Sequence, residues 1–170
     1  MNLDTLVRAG QPPWQPVPAA EDVDVWDKYD FPICGTYRLG ETLVIFTLIT
    51  TAGTRSLWAY VPVPHGSEKD VAEAWFDTEA EFDEFLGRCF AGHRAVFAAA
   101  EDLVITSMSD GTLIPAGKNS LLNASADWYV QRSAALQAEK AREQLATASK
   151  ADDPGELLSA AQGIIERLPT

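Results

Sequence analysis

The most constraining feature of this chain is the stretch TLVIFTLIT at residues 42–50, where nearly every residue is apolar or β-branched. Such a run is typical of a central strand that is covered on both faces of a sheet. The flanking segments 33–39 and 55–63 alternate in side-chain character, and Gly40 and Gly53 fall at the turns between the segments. These residues predict a meander of three antiparallel strands.

Two helices are predicted after the meander. Ser67 can cap the first helix, whereas Thr78 and Glu81 have the spacing of a capping box for the second. The apolar residues of the second helix recur at steps of three or four from Phe82 to Ala100. That period predicts a helix that continues to Ala100.

The remainder of the chain predicts a hairpin followed by helices. Segments 103–108 and 112–116 read as strands, with Asp110 and Gly111 in the turn between them. Residues 124–149 are rich in Ala, Glu, Gln, Lys and Arg and predict a long helix. A last helix is predicted after Asp153, and its apolar stripe includes Leu157, Leu158, Ile164, Ile165 and Leu168.

These elements predict an α+β fold, with a mostly antiparallel sheet of about five strands, helices on one face and a C-terminal helical arm. The predicted domains are a lead-in with a short helix and a Pro-rich segment (1–30), an α+β domain (31–120) and the arm (121–170). The order of elements resembles that of the acidic, dimeric chaperones of type III secretion and of small bacterial regulators that share their fold. That resemblance concerns the fold and decides no function; a bacterial origin and a homodimer are the expectations that it suggests.

Charge narrows the classes of partner. The net charge is −12 and the isoelectric point is about 4.4, so the surface repels phosphate and a nucleic-acid partner is not expected. The segments 21–30 and 68–84 supply most of the acidic residues. They are interpreted either as solvated residues that favour helix N-termini or as a surface for a basic partner, and a hydrolase or divalent-cation site is a weaker alternative.

Cysteine and histidine residues raise the question of a metal site. Cys89 and His93 are four residues apart, and Cys34 and His65 are the remaining residues of those two types. The predicted strands put Cys34 and His65 at opposite ends of the sheet, so neither a metal site nor a cofactor is predicted and core packing is the favoured role. A disulfide between Cys34 and Cys89 and a nucleophilic Cys34 are the minor alternatives.

The start of the chain and its longest apolar run predict the cellular location. The start of the chain lacks the charge and apolar pattern of a signal peptide, and the apolar run 43–49 is too short to cross a bilayer. We therefore expect a reduced cytoplasmic protein without a membrane partner.

The sequence favours a non-enzymatic protein-interaction module of the adaptor, chaperone or inhibitor type, because no catalytic motif is recognisable. Its predicted partner-binding residues are Leu157, Leu158, Ile164, Ile165, Leu168, Trp58 and Tyr60. Trp58 and Tyr60 share a strand face, which is either packed in the core or available for binding. The alternatives are a small-molecule-binding protein or enzyme with a pocket at that face, and a self-assembling structural subunit.

Overall fold

The three predicted strands form the centre of a larger antiparallel sheet in a computed structural model, which describes residues 3–117 and 120–148. The strands are β1 (Glu21–Lys28), β2 (Pro32–Leu39), β3 (Thr42–Ala52), β4 (Arg55–Pro62), β5 (Arg94–Glu101), β6 (Val104–Met108) and β7 (Thr112–Leu113). The helices are a 3₁₀ turn (Leu3–Thr5), α1 (Glu68–Ala72), α2 (Glu79–Phe90) and α3 (Ser120–Ala148). The α+β class is confirmed.

The sheet follows the order of the chain. Its strand order is β1-β2-β3-β4-β5-β6, each pair is antiparallel, and β7 pairs with β5 beside β6. The described residues thus form a seven-stranded sheet rather than one of about five strands. Helices α1 and α2 occupy the connection between β4 and β5, where the predicted capping box of Thr78 and Glu81 is present.

Strand β1 was not predicted because five of the ten residues in 21–30 are acidic, and Asp is depleted in strands. Pairing with β2 overrides that local preference, at an edge where most β1 side chains reach solvent. The two backbones approach closely: a Cβ atom at Gly35 would overlap the carbonyl oxygen of Asp24. Only glycine fits at that position without displacing β1.

The prediction of a single helix from Phe82 to Ala100 is wrong. Helix α2 ends at Phe90, and Gly92 follows with φ +76°, a left-handed conformation that stops helices. Residues 94–101 are instead strand β5, which is buried on both faces over most of its length. The sequence AVFAAA is apolar at every position, so it satisfies a helical period and a fully buried strand equally well.

The predicted hairpin between 103–108 and 112–116 is also wrong. Strands β6 and β7 do not pair with each other, since β6 pairs with residues 98–101 of β5 and β7 pairs with Arg94 and Ala95. The tight turn is instead formed by Asp102 and Leu103, both at positive φ. Neither residue is glycine, so the turn lacks the sequence signal on which hairpin prediction depends.

One face of the sheet packs against the helices. Ala59 and Val61 of β4 point to this face, as the alternation predicted, and meet Phe85, Leu86 and Phe90 of α2. The first part of α3 adds Leu121, Ala124 and Trp128, and the Trp128 ring lies 6.1 Å from that of Phe97. We call this layer the helix-face core.

The opposite face packs against residues 3–20, here called the N-terminal segment. Its residues Leu6, Val7 and Val17 are buried against Trp58 and Tyr60 of β4. The segment also closes the β6 edge, because the N–H of Gly10 donates to the carbonyl of Ile105 and the N–H of Ile105 donates to that of Gln11. The predicted lead-in therefore contributes residues to the core on this face of the sheet.

Contacts divide the chain into two compact units, one ending at Trp128 and one beginning at Tyr129. The boundary lies within α3, eight residues beyond the predicted start of the arm at residue 121. In the second unit, Val130 and Leu136 of α3 are exposed.

Candidate functional site

Trp58 and Tyr60 lie where the alternation placed them, on the face opposite the helices, and both are fully buried. The Tyr60 hydroxyl donates a hydrogen bond of 2.8 Å to the carbonyl of Pro13, and Trp58 Nε1 donates to Ser56 Oγ at 2.9 Å. Their polar atoms are satisfied within the fold. Burial therefore supports the core-packing alternative for these two residues rather than a partner-binding platform.

The other predicted partner-binding residues, Leu157, Leu158, Ile164, Ile165 and Leu168, lie outside the described residues. Their role stays a prediction.

Cys89 and His93 reach the same cleft, although they do not share a helix. The cleft measures about 180 Å³, and its polar lining also includes Ser67, Asp70 and Arg88. Across residues 3–117 and 120–148, no three His, Cys, Asp or Glu side chains are grouped as metal ligands.

The remaining two candidate ligands lie elsewhere. Cys34 is buried in the helix-face core, whereas His65 is exposed and faces Glu68, with Nδ1 3.3 Å from Oε1. Burial is the main cause that raises the pKa of Cys34 to about 12 and that of Cys89 to about 11. Both thiols are protonated at neutral pH, which makes them poor nucleophiles and poor metal ligands.

The two acidic segments of the sequence are adjacent in the fold. Trp26 of β1 lies 6.0 Å from Phe85 of α2, ring centre to ring centre, and Phe85 lies 4.8 Å from Phe76. Phe76 also packs edge-on against Phe82 at 5.2 Å. Through Phe85, these rings connect segment 21–30 to segment 68–84, although residues 31–67 separate the two segments in sequence. We call the two segments together the acidic surface.

The carboxylates of the acidic surface outnumber its cations. Lys69 lies 3.7 Å from Glu73 and Arg88 lies 2.9 Å from Glu84, so two cations of this region are already paired with neighbouring acids. Glu68 accepts a hydrogen bond from the Gly66 N–H, and backbone hydrogen bonds lower its pKa, so it stays ionised. The surface consequently retains a negative field at neutral pH.

Trp75 is the most exposed large apolar side chain of the described residues, at 86%. A longer first helix would put Trp75 on one face with Val71 and Ala74, but α1 ends at Ala72 and leaves Trp75 in the connection to α2. Its Nε1 lies 3.3 Å from the Asp77 carboxylate. An exposed tryptophan with acidic neighbours is a common anchor of protein interfaces. A prediction that ended the first helix before Trp75 would have identified this residue as a candidate.

A second concavity lies at one end of the sheet, where the β1–β2, β3–β4 and β5–β6 turns meet. It measures about 700 Å³, and its lining includes Tyr29, Phe31, Arg55 and Asp102. Sequence reasoning missed this groove because its walls come from three separate turns.

No family model, curated protein or solved structure matches this chain. Four strands precede α1, whereas the element order that resembled secretion chaperones had three. Among the described helices, none is long and apolar enough to cross a membrane.

Proposed function

We propose that this chain is a non-enzymatic protein-interaction module, of the adaptor, chaperone or inhibitor type, that binds a basic partner through its acidic surface. The observation that carries the proposal is the aromatic contact of Phe85 with both Trp26 and Phe76, which brings the two acidic segments together. Acidic segments that are merely solvated need not lie next to each other in the fold. Their convergence gives a partner a single extended field.

Trp75 adds the apolar part of the proposed interface. Interfaces commonly place a tryptophan at their centre, with polar residues around it that exclude water when the partner docks. Trp75 is exposed, and the acids Glu73 and Asp77 flank it in sequence. The acids would steer a basic partner, and the indole would supply the buried area that charge alone does not provide.

The proposal keeps the amphipathic segment that contains Leu157 and Leu168 as a second contact. An apolar stripe of this kind docks either in a partner's groove or against the same segment of a second copy. In the second case the protein is a homodimer. Light scattering on the full chain and on a version that stops at Lys150 distinguishes the two cases, since only a dimer that this segment forms becomes a monomer on truncation.

The test of the acidic surface compares matched charge changes. Proteins retained by the immobilised full chain are identified and purified, and their affinities are measured for Trp75→Ala, for Asp77→Lys and for Glu139→Lys. Glu139 is an exposed acid of α3 and is not part of segments 21–30 and 68–84, so its variant makes the same change of net charge without altering either acidic segment.

We expect a basic partner whose dissociation constant rises about tenfold with Trp75→Ala and with Asp77→Lys, and less than about twofold with Glu139→Lys. Binding should also weaken as salt is added. Partners that bind all three variants equally would overturn the proposal, and so would turnover of a substrate at a rate that depends on a cysteine or a carboxylate.

A further inference from the structure

The groove at the end of the sheet is built by turns that the antiparallel order brings together. Every second turn of a meander lies at the same end, so residues 29–31, Gly53–Thr54 and Asp102–Leu103 are neighbours. The N–H of Asp102 donates to the carbonyl of Thr54 at 2.9 Å and ties two of these turns together. The volume of about 700 Å³ is within the range of small-molecule sites.

One wall of the groove is apolar and already packed. Phe31, Ile33 and Leu48 line it, and each of these side chains is half-buried. The Phe31 ring stacks on Trp14 of the N-terminal segment at 5.8 Å and lies 6.3 Å from Trp58. The wall therefore continues the aromatic face of the sheet and borders the N-terminal segment at Trp14. A ligand would meet a preformed surface and would not have to order it.

The polar lining carries excess negative charge. Asp30 and Asp102 line the groove with a single cation, Arg55. Arg55 lies directly opposite Glu101 in the β4–β5 register, so a third acid, outside the lining, offsets its charge. The net charge of −12 strengthens this bias. Tyr29, 85% exposed, adds an aromatic ring at the rim.

We propose that this groove binds a small organic cation with an apolar body, an amphiphilic amine. The apolar body lies on the wall of Phe31, Ile33 and Leu48, and the ammonium group lies between Asp30, Asp102 and the face of Tyr29. Anionic ligands are disfavoured by the two carboxylates. The groove shares Tyr29 and Asp30 with the acidic surface, whereas its other lining residues lie outside segments 21–30 and 68–84. Neither proposal depends on the other.

The test uses three probes with one aromatic body and three charges: 2-phenylethylammonium, 2-phenylethanol and 3-phenylpropionate. Each is titrated into the full ¹⁵N-labelled chain, and amide shifts are followed by NMR. We expect the amine to bind at roughly 1–10 mM, the alcohol about threefold more weakly and the acid more weakly still. The shifted amides should fall in 29–33, 48–56 and 101–104, and salt should weaken the amine alone.

Two variants and a control sharpen the test. Asp102 has φ +48°, which Asn tolerates, so Asp102→Asn removes the charge and keeps the turn. We expect it to weaken the amine about threefold and to leave the alcohol unchanged, whereas Tyr29→Ala should weaken both probes. Glu41→Gln, in the β2–β3 turn at the other end of the sheet, is the matched control and should change nothing.

Three results would overturn the proposal. The first is equal affinity for the amine and the alcohol together with no effect of Asp102→Asn. This result would mean that the groove binds the apolar body and does not discriminate between charged and neutral probes. The second is preferential binding of 3-phenylpropionate, which would mean that Arg55 dominates the field. The third is an absence of probe-induced shifts at the groove amides.

Discussion

The two faces of the seven-stranded sheet are closed by different kinds of chain. The helix-face core is covered by regular helices, whose residues Phe85, Leu86 and Phe90 pack by shape against β4 and β5. The opposite face is covered by residues 3–20, a segment whose described regular structure is one 3₁₀ turn at Leu3–Thr5.

The N-terminal segment compensates for its irregularity with hydrogen bonds. The Tyr37 hydroxyl donates to the carbonyl of Leu6 at 2.7 Å, and the Tyr60 hydroxyl donates to that of Pro13 at 2.8 Å. A helix satisfies its own backbone groups, whereas an irregular segment that is buried needs partners from elsewhere. The comparison shows why aromatic residues with a hydroxyl group lie on one face only of this core.

The largest expected effect concerns apolar packing. Phe90→Ala on the helix face should lower the free energy of unfolding by about 3–5 kcal/mol, because a fully buried ring leaves a cavity between regular elements that cannot collapse. Leu6→Ala on the other face should cost about 2 kcal/mol, since an irregular segment relaxes more easily. Urea denaturation at pH 7 measures both, and a larger loss for Leu6→Ala would contradict the comparison.

Alkaline pH should destabilise the protein through both faces. Burial raises the pKa of Cys34 from 9.0 to about 12, and it also raises the pKa values of Tyr37 and Tyr60. The folded state therefore retains protons that the unfolded state releases, and stability that is fully present below about pH 9 falls as pH rises. Cys34 alone should account for about 3 kcal/mol by about pH 11.

Denaturation curves between about pH 8 and about pH 11 test this expectation, since the loss should begin near the unfolded thiol pKa. Cys34→Ala should flatten the first part of the decline and leave the later tyrosine part in place. A stability that rises with pH in this range would show that the buried groups are already ionised in the folded state.

Removal of a single hydroxyl should loosen the N-terminal segment without affecting the helices. Tyr60→Phe leaves the buried carbonyl of Pro13 without its donor, at a cost of about 1–2 kcal/mol. Hydrogen exchange should accelerate at Gly10 and Ile105, whose N–H groups join the segment to β6. Equal acceleration in α2 would mean that the two faces open together.

The smallest effect is expected at a helix cap. Thr78 Oγ1 accepts from the Glu81 N–H at 3.3 Å, and the Glu81 carboxylate accepts from the Thr78 N–H at 3.2 Å. Thr78→Ala should cost about 1 kcal/mol by urea denaturation. Ser67 precedes α1 without a side-chain capping bond, so Ser67→Ala is a matched control with an expected change near zero.

Prediction from the sequence succeeded where the signal was local. The strands β2, β3 and β4, the turns at Gly40 and Gly53 and the capping box of α2 all depend on residues within a few positions of one another. It failed at β5, where an all-apolar run fits two periods, and at β1, where pairing with β2 outweighs acidic composition.

The candidate sites could be predicted from the sequence less well than the fold could. Trp58 and Tyr60 were assigned to the correct face, but residues 3–20 carried no signal that they would cover that face. Trp75 lies beyond the end of α1 at Ala72, and no residue pattern in the sequence marked that end. The groove needs Asp30, Arg55 and Asp102 from three turns, and no spacing in the sequence relates them.

By itself the sequence determined the α+β class, the central meander, the net charge of −12 and the acidic segments 21–30 and 68–84. These follow from local backbone preference and from composition, which act over short distances along the chain. Only the tertiary structure decided that the acidic segments converge, that the N-terminal segment buries Trp58, and that three turns enclose a groove. Each of these depends on contacts between residues far apart in sequence, where packing of the whole chain outweighs local preference.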